Sequence, residues 1–183
     1  MIRLPVFLIF LFVIKTVSAG EIQQAEVLHK DGVYILDLKV KLSAPFEPVH
    51  AIVTDYDQLH VISEVLIETS LLSEPDAEIK RRRLVVRTCI LFFCFTAKMV
   101  EDVWETGNTI ITRIIPDQSD YKFGETKWQI DLIDDAHSRI SLYCELEPDF
   151  WIPPVIGPYL MKKTMMREAK KTIRRIEEIA NDV

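Results

Sequence analysis

The side chains that could do chemistry are few and scattered. Histidines stand at 29, 50, 60 and 137, and none has another histidine, a cysteine or a carboxylate at metal-ligand spacing. His60 closes a short helical stretch, yet no second polar residue points to it. The glycines at 20, 32, 107, 124 and 157 build no phosphate-cradling loop. The chain also lacks a G-x-S-x-G elbow, an H-E-x-x-H pair and a C-x-x-C pair. No metal ligands, no cofactor site and no catalytic group can be nominated, which points to binding before catalysis. Lys80-Arg81-Arg82-Arg83 is the densest charge run. On a strand, Arg81 and Arg83 take one face, and Lys80 and Arg82 the other. A solvated basic patch is the plain expectation, whereas Arg81, Arg83 and Arg87 turned into a cavity would suit an anionic headgroup.

The cysteines are at 89, 94 and 144. Cys89 and Cys94 flank Ile90-Leu91-Phe92-Phe93 between two consecutive strands, where a hairpin brings flanking residues within bridging distance. A disulfide is expected there; its closed loop is small, and chain entropy assigns it only about 2 kcal/mol. Cys144 has no basic partner nearby in sequence and reads as a small buried hydrophobe.

A disulfide implies an oxidising compartment, and the N-terminus agrees. Arg3 precedes an apolar run from Leu4 to Ile14, and Val17-Ser18-Ala19 places small residues where a signal peptidase cuts. Residues 1–19 are read as a signal peptide and 20–183 as the mature domain, exported to the periplasm or secreted. The apolar run ends at Lys15, well short of the roughly 20 residues of a membrane span. Arg3 and Lys15 leave with the leader, which takes the net charge from −6 to −8 and argues against a nucleic-acid partner.

These residues must be positioned by one domain, since the length supports one core. In residues 33–42, Tyr34, Leu36, Leu38, Val40 and Leu42 alternate with polar residues, the pattern of a strand with one wet face. Pro45 and Pro48 open a short helical stretch, and Asp55 can cap a second one through Leu59. Strands then follow near 64–73, 78–89, 95–105, 109–115, 125–134 and 138–147, separated by turn residues such as Gly107-Asn108. A proline-rich linker leads to a helix that begins between Pro153 and Pro158 and runs to about Ala180. Met161, Met165, Ala169, Ile173, Ile176 and Ala180 form its apolar stripe. Lys162, Lys163, Arg167, Lys170, Lys171, Arg174 and Arg175 make the other faces basic, diluted by Glu168, Glu177 and Glu178. The expected class is α+β: an antiparallel meander, in the order β-α-α-β6-α, packed against a long C-terminal helix.

That order, with Ser43-Ala44-Pro45 ahead of a short helix, Thr54-Asp55-Tyr56-Asp57-Gln58-Leu59 after it, and a terminal helix behind a meander, resembles the START-like (SRPBCC, helix-grip) superfamily. Within it, CILFFC at 89–94, IIPDQSDYKFGETKW at 114–128 and LEPDFWIPPVIGPYLMKK at 146–163 resemble exported bacterial members of the polyketide cyclase/dehydrase and coenzyme Q-binding START-type families. The resemblance implies a curved sheet gripping the helix, with an apolar cavity between them. Trp128 and Ile130, Leu142 and Cys144, and Met161 and Met165 lie on the faces that would wall it. The methionines suit an adaptable wall, or equally fill gaps in a closed core.

Two functions follow from that resemblance. One is binding and transport of a hydrophobic ligand, lipid or isoprenoid-like; the other is a cyclase acting on a polyketide-like or aromatic substrate in the same cavity. A cyclase needs a polar group placed for proton transfer, and none is evident. A protein-interaction module with a filled core is a third. Strand parity gathers three connections at one end of the sheet, bringing Leu91, Phe92 and Phe93, Tyr121 and Phe123, and Phe150, Trp151 and Ile152 together. They are expected to form a hydrophobic mouth that docks transiently on membranes or on a ligand-delivering partner, the alternative being that the three loops fold onto one another and seal a closed core. The sequence fixes no oligomeric state.

Overall fold

The computed structural model describes residues 20–90 and 93–182. Its elements are β1 (Glu21–Lys30), β2 (Val33–Leu42), α1 (Phe46–Thr54), a 3-10 turn (Leu59–Val61), β3 (Leu66–Leu71), β4 (Lys80–Ile90), β5 (Phe93–Thr106), β6 (Thr109–Ile114), a second such turn (Pro116–Gln118), β7 (Tyr121–Asp134), β8 (His137–Pro148) and α2 (Gly157–Asp182). The strands form one antiparallel sheet of eight in the order β1-β2-β8-β7-β6-β5-β4-β3. From β3 to β8 the sheet is the expected meander, and β2 closes onto β8. This is the helix-grip arrangement, with α2 laid across the concave face.

The alternation in β2 does what its pattern requires. Tyr34, Leu36, Leu38, Val40 and Leu42 are all buried, and the last four meet Ile140, Leu142 and Ile130 from β8 and β7 under Ile173 and Ile176 of α2. Removing that apolar area from water is the main stabilising term.

The structure adds an element to the expected order. Residues 21–30, which carry no clean alternation, form the edge strand β1, paired with β2 from Glu21↔Lys41 to Lys30↔Val33. Nearly all of β1 is exposed, so no apolar face marks it in the sequence. Its hairpin is closed by Asp31 (φ 51°) and Gly32 (φ 88°), the positive-φ pair of a two-residue turn that matches strand twist. The second short helix is also different: it is a single 3-10 turn at Leu59–Val61, and the Asp57 carboxylate accepts the Leu71 amide instead of Asp55 capping a helix.

Glu177 is not a surface charge. It is 2 % exposed and accepts the backbone N–H groups of Gly20 and Ser43, each at 2.7 Å. Among the described residues, no helix is long and apolar enough to cross a membrane.

Candidate functional site

A cavity of about 280 Å³ lies between α2 and the sheet. Leu36, Leu142, Trp128 and Ile110 supply its sheet-side wall, Val53 and Leu59 one flank, and Met165 and Ala169 of α2 the roof. Ser63, Val65 and Leu66 face Glu168 and Thr172 across a half-exposed rim, so the cavity opens along the side between β3 and α2. Lys171 and Glu64 pair at 3.2 Å outside that rim.

One patch of the wall is polar. Arg82 of β4 pairs with its cross-strand partner Glu101 of β5 at 2.6 Å, and Thr112 of β6 donates to the other Glu101 oxygen at 3.0 Å. Both charged side chains are almost fully enclosed, at 9 % and 6 % exposure. Two charges leave water only when their geometry repays the desolvation, and here the pair, the threonine and a ring do so together. The Arg82 guanidinium lies 4.8 Å from the centre of the Tyr56 ring. Tyr56 donates its hydroxyl to Glu105 at 2.6 Å, and Lys80 donates to the same oxygen at 2.7 Å. Burial, then the hydrogen bond to Glu105, raise the Tyr56 phenol well above its ordinary pKa. At Glu105 burial opposes ionisation, but the bonds from Lys80 and Tyr56 outweigh it and hold the carboxyl below its usual range.

The basic run therefore divides with the opposite facing to the headgroup alternative. Arg82 points inward beside Leu84, while Arg81 pairs with Asp102 at 2.7 Å and Arg83 with Glu68 on the solvent side. Arg87 is exposed as well. Sequence reading missed Arg82, Glu101 and Thr112 as a group. Each is a polar interruption in an inward-facing apolar series: Arg82 next to Leu84, Glu101 between Met99 and Val103, Thr112 between Ile110 and Ile114.

Four of the six residues expected to wall a cavity do so: Trp128, Leu142, Cys144 and Met165. Ile130 does not. It is fully buried in packed core where α1 covers β7 and β8, leaving no space at that end. Met161 is buried but lies outside the wall, because one helical turn carries it about 6 Å along α2 from Met165. The Cys144 thiol faces inward; burial pushes it up to about 11, against an opposing hydrogen bond with Thr126. Almost no thiolate exists near neutrality, so the thiol is a poor nucleophile.

The expected disulfide is present between Cys89 and Cys94, which sit opposite one another in the β4–β5 ladder. Two of the three connections, β6–β7 and β8–α2, meet where Asp149 N–H reaches Asp120 C=O, and Asp120 N–H reaches Lys98 C=O within β5; the third, at Leu91–Phe92, lies outside the described residues. None of the expected mouth residues lines the cavity among the described residues. Tyr121 is buried, and Phe150 packs on Phe95 (4.9 Å between ring centres) and edge-on to Tyr121 (5.7 Å), sealing that end. Ile152 is half-buried; Phe123 and Trp151 face outward, Trp151 at 77 % exposure. Leu91 and Phe92 lie outside the described residues, and Phe93 opens β5 opposite Ile90.

No protein-family model and no curated protein matches the sequence. Solved structures do match in three dimensions. The Zhui aromatase/cyclase from Streptomyces sp. R1128 superposes with TM-score 0.66 at 13% identity, covering 81% of this chain and 94% of that one. A START superfamily protein from Mycobacterium smegmatis gives 0.63 at 18% identity, with 79% and 98% covered. A STAR-related lipid transfer protein from Xanthomonas axonopodis gives 0.61 at 11% identity, with 90% and 99% covered. At such identities the likeness speaks for architecture alone, and with the eight-stranded sheet closed on its C-terminal helix it establishes that this chain has the START-like, helix-grip fold.

Proposed function

We propose that the mature domain binds a small amphiphilic molecule, lipid or isoprenoid-like, and carries it outside the cytoplasm. One observation carries the reading: an apolar cavity interrupted by the single enclosed polar patch of Arg82, Glu101 and Thr112. A ligand with an apolar body and one compact polar group matches that wall. At about 280 Å³ the space is at the small end of ligand pockets, which span roughly 300–1,000 Å³. It suits one short chain or a compact ring system. The names of the solved structures, a lipid transfer protein among them, support the same class of ligand. The leader-like residues 1–19 and the Cys89–Cys94 disulfide support an exported protein.

The cyclase reading shares the cavity and is favoured by the aromatase/cyclase likeness. Against it, both Glu101 oxygens already accept hydrogen bonds, from Arg82 and Thr112. That suits a fixed anchor better than a group that must take up and release a proton.

The test is an Ala169→Phe variant, which fills the cavity from α2. Mass spectrometry of the organic extract of detergent-free protein should find an amphiphile near one per chain in the parent and little in the variant. Anilinonaphthalene sulfonate dye should bind the parent several-fold more tightly. Equal extracts and equal dye binding in both proteins would sink the cavity as the binding site.

A further inference from the structure

Glu177 is the most enclosed carboxylate described, and its surroundings give it hydrogen bonds without a countercharge. Its two oxygens accept the Gly20 and Ser43 backbone N–H groups at 2.7 Å each. No Lys, Arg or His among the described residues lies within ion-pair distance of it. A carboxylate this deep is costly unless a full opposite charge meets it. Gly20 is the residue that follows Ala19, the predicted leader cleavage point.

Resting on the export reading, we propose that cleavage after Ala19 converts the Gly20 amide into an α-ammonium that closes a buried ion pair with Glu177. Processing thereby completes the fold. The geometry needs no rearrangement, since the nitrogen is already at 2.7 Å and only its charge changes. An α-amino group has an ordinary pKa near 8, so it is protonated at neutral pH. The pocket is shaped for glycine: a Cβ at residue 20 would stand 3.0 Å from the Lys41 carbonyl oxygen and 3.1 Å from both Leu42 Cδ2 and Val40 Cγ1. The new terminus would pin the start of β1, an exposed edge strand with little apolar area to hold it, to the last third of α2. In the precursor the same carboxylate has only two neutral N–H donors, which are weaker partners than a cation.

The experiment uses the full chain with its own leader, produced in an exporting host. Two variants separate charge from hydrogen bonding: Glu177→Gln, and a serine inserted between Ala19 and Gly20. The insertion keeps the Gly20 N–H and moves the ammonium one residue outward. Intact mass should place Gly20 at the parent's terminus. Each variant should melt about 5 °C lower, and the two combined little lower than either alone. An insertion protein that melts with the parent would overturn the ion pair, and it decides the matter alone if Glu177→Gln does not fold. A parent beginning at any other residue would overturn the cleavage reading instead.

Discussion

At the residue scale, the cavity's character rests on Arg82 and Glu101. Removing one member leaves the other charged and enclosed, which costs about 3–5 kcal/mol, whereas an apolar pair of similar volume is close to neutral. Glu101→Leu should therefore destabilise by roughly that amount, and Arg82→Met with Glu101→Leu should recover most of it, within about 1–2 kcal/mol of the parent. Chemical denaturation checks both. The recovered double variant should still have lost selectivity for polar-headed over purely apolar ligands. Additive losses in the double variant would show that the two residues act separately. These side chains were hard to read from sequence because alternation gives the pairing of faces but not which face is inside. Arg82 stands between Arg81 and Arg83 in a run that opens with Lys80, so charge density argued for solvent. Leu84 and Val86 two and four places on were the legible counter-signal, and Glu101 and Thr112 gain meaning only through the ladder register.

Among the elements, those with a strong one-sided pattern were legible: β2, the meander from β3 to β8, and α2 with its stripe ending at Ala180. β1 was not, because only Val27 of it packs against the core, and a strand with no row of buried residues has no period to detect. Its turn was the available signal, since Asp31-Gly32 is a strong two-residue hairpin pair. That turn has a checkable cost. Gly32 sits at φ 88°, where a side chain is strained, so Gly32→Ala should lose about 1 kcal/mol. Asp31→Gly, at φ 51°, should lose much less, aspartate and glycine both tolerating that region. Because β1 pairs only with β2, hydrogen exchange in Gly32→Ala should accelerate in residues 21–30 and leave β8, on the far side of β2, protected. Acceleration spread evenly over the sheet would show that β1 unfolds only with the whole domain.

For the whole molecule, the fold followed from the order of elements and the cavity from the resemblance that order carries, but the entrance followed from neither. Loops were expected to form it; instead aromatic packing around Phe150 closes that end, and the opening runs between β3 and α2. The sequence could not show this, since the gap depends on how far α2 stands from a short edge strand. Among the exposed apolar residues are Trp151, in the linker before α2, and Tyr159, in its first turn, at 77 % and 64 % exposure. Tyr159 continues into an exposed face of Lys163, Arg167, Lys170 and Arg174. Of these, Lys163, Lys170 and Arg174 have no ion-pair partner among the described residues. Aromatic rings beside lysines are the composition of a membrane-interface contact, and Glu168 and Thr172 of the cavity rim lie on the flank of the same helix. A protein of net negative charge would meet an anionic bilayer with a basic face such as this one forward. Co-sedimentation with vesicles should show binding to anionic and little to neutral phospholipid, falling with salt. Lys163→Ala with Lys170→Ala should weaken it roughly thirtyfold, taking about 1 kcal/mol per lysine. Trp151→Ser with Tyr159→Ser should weaken it several-fold at an unchanged melting temperature. Equal binding to neutral vesicles, or no loss in either variant, would show that this helix face makes no such membrane contact.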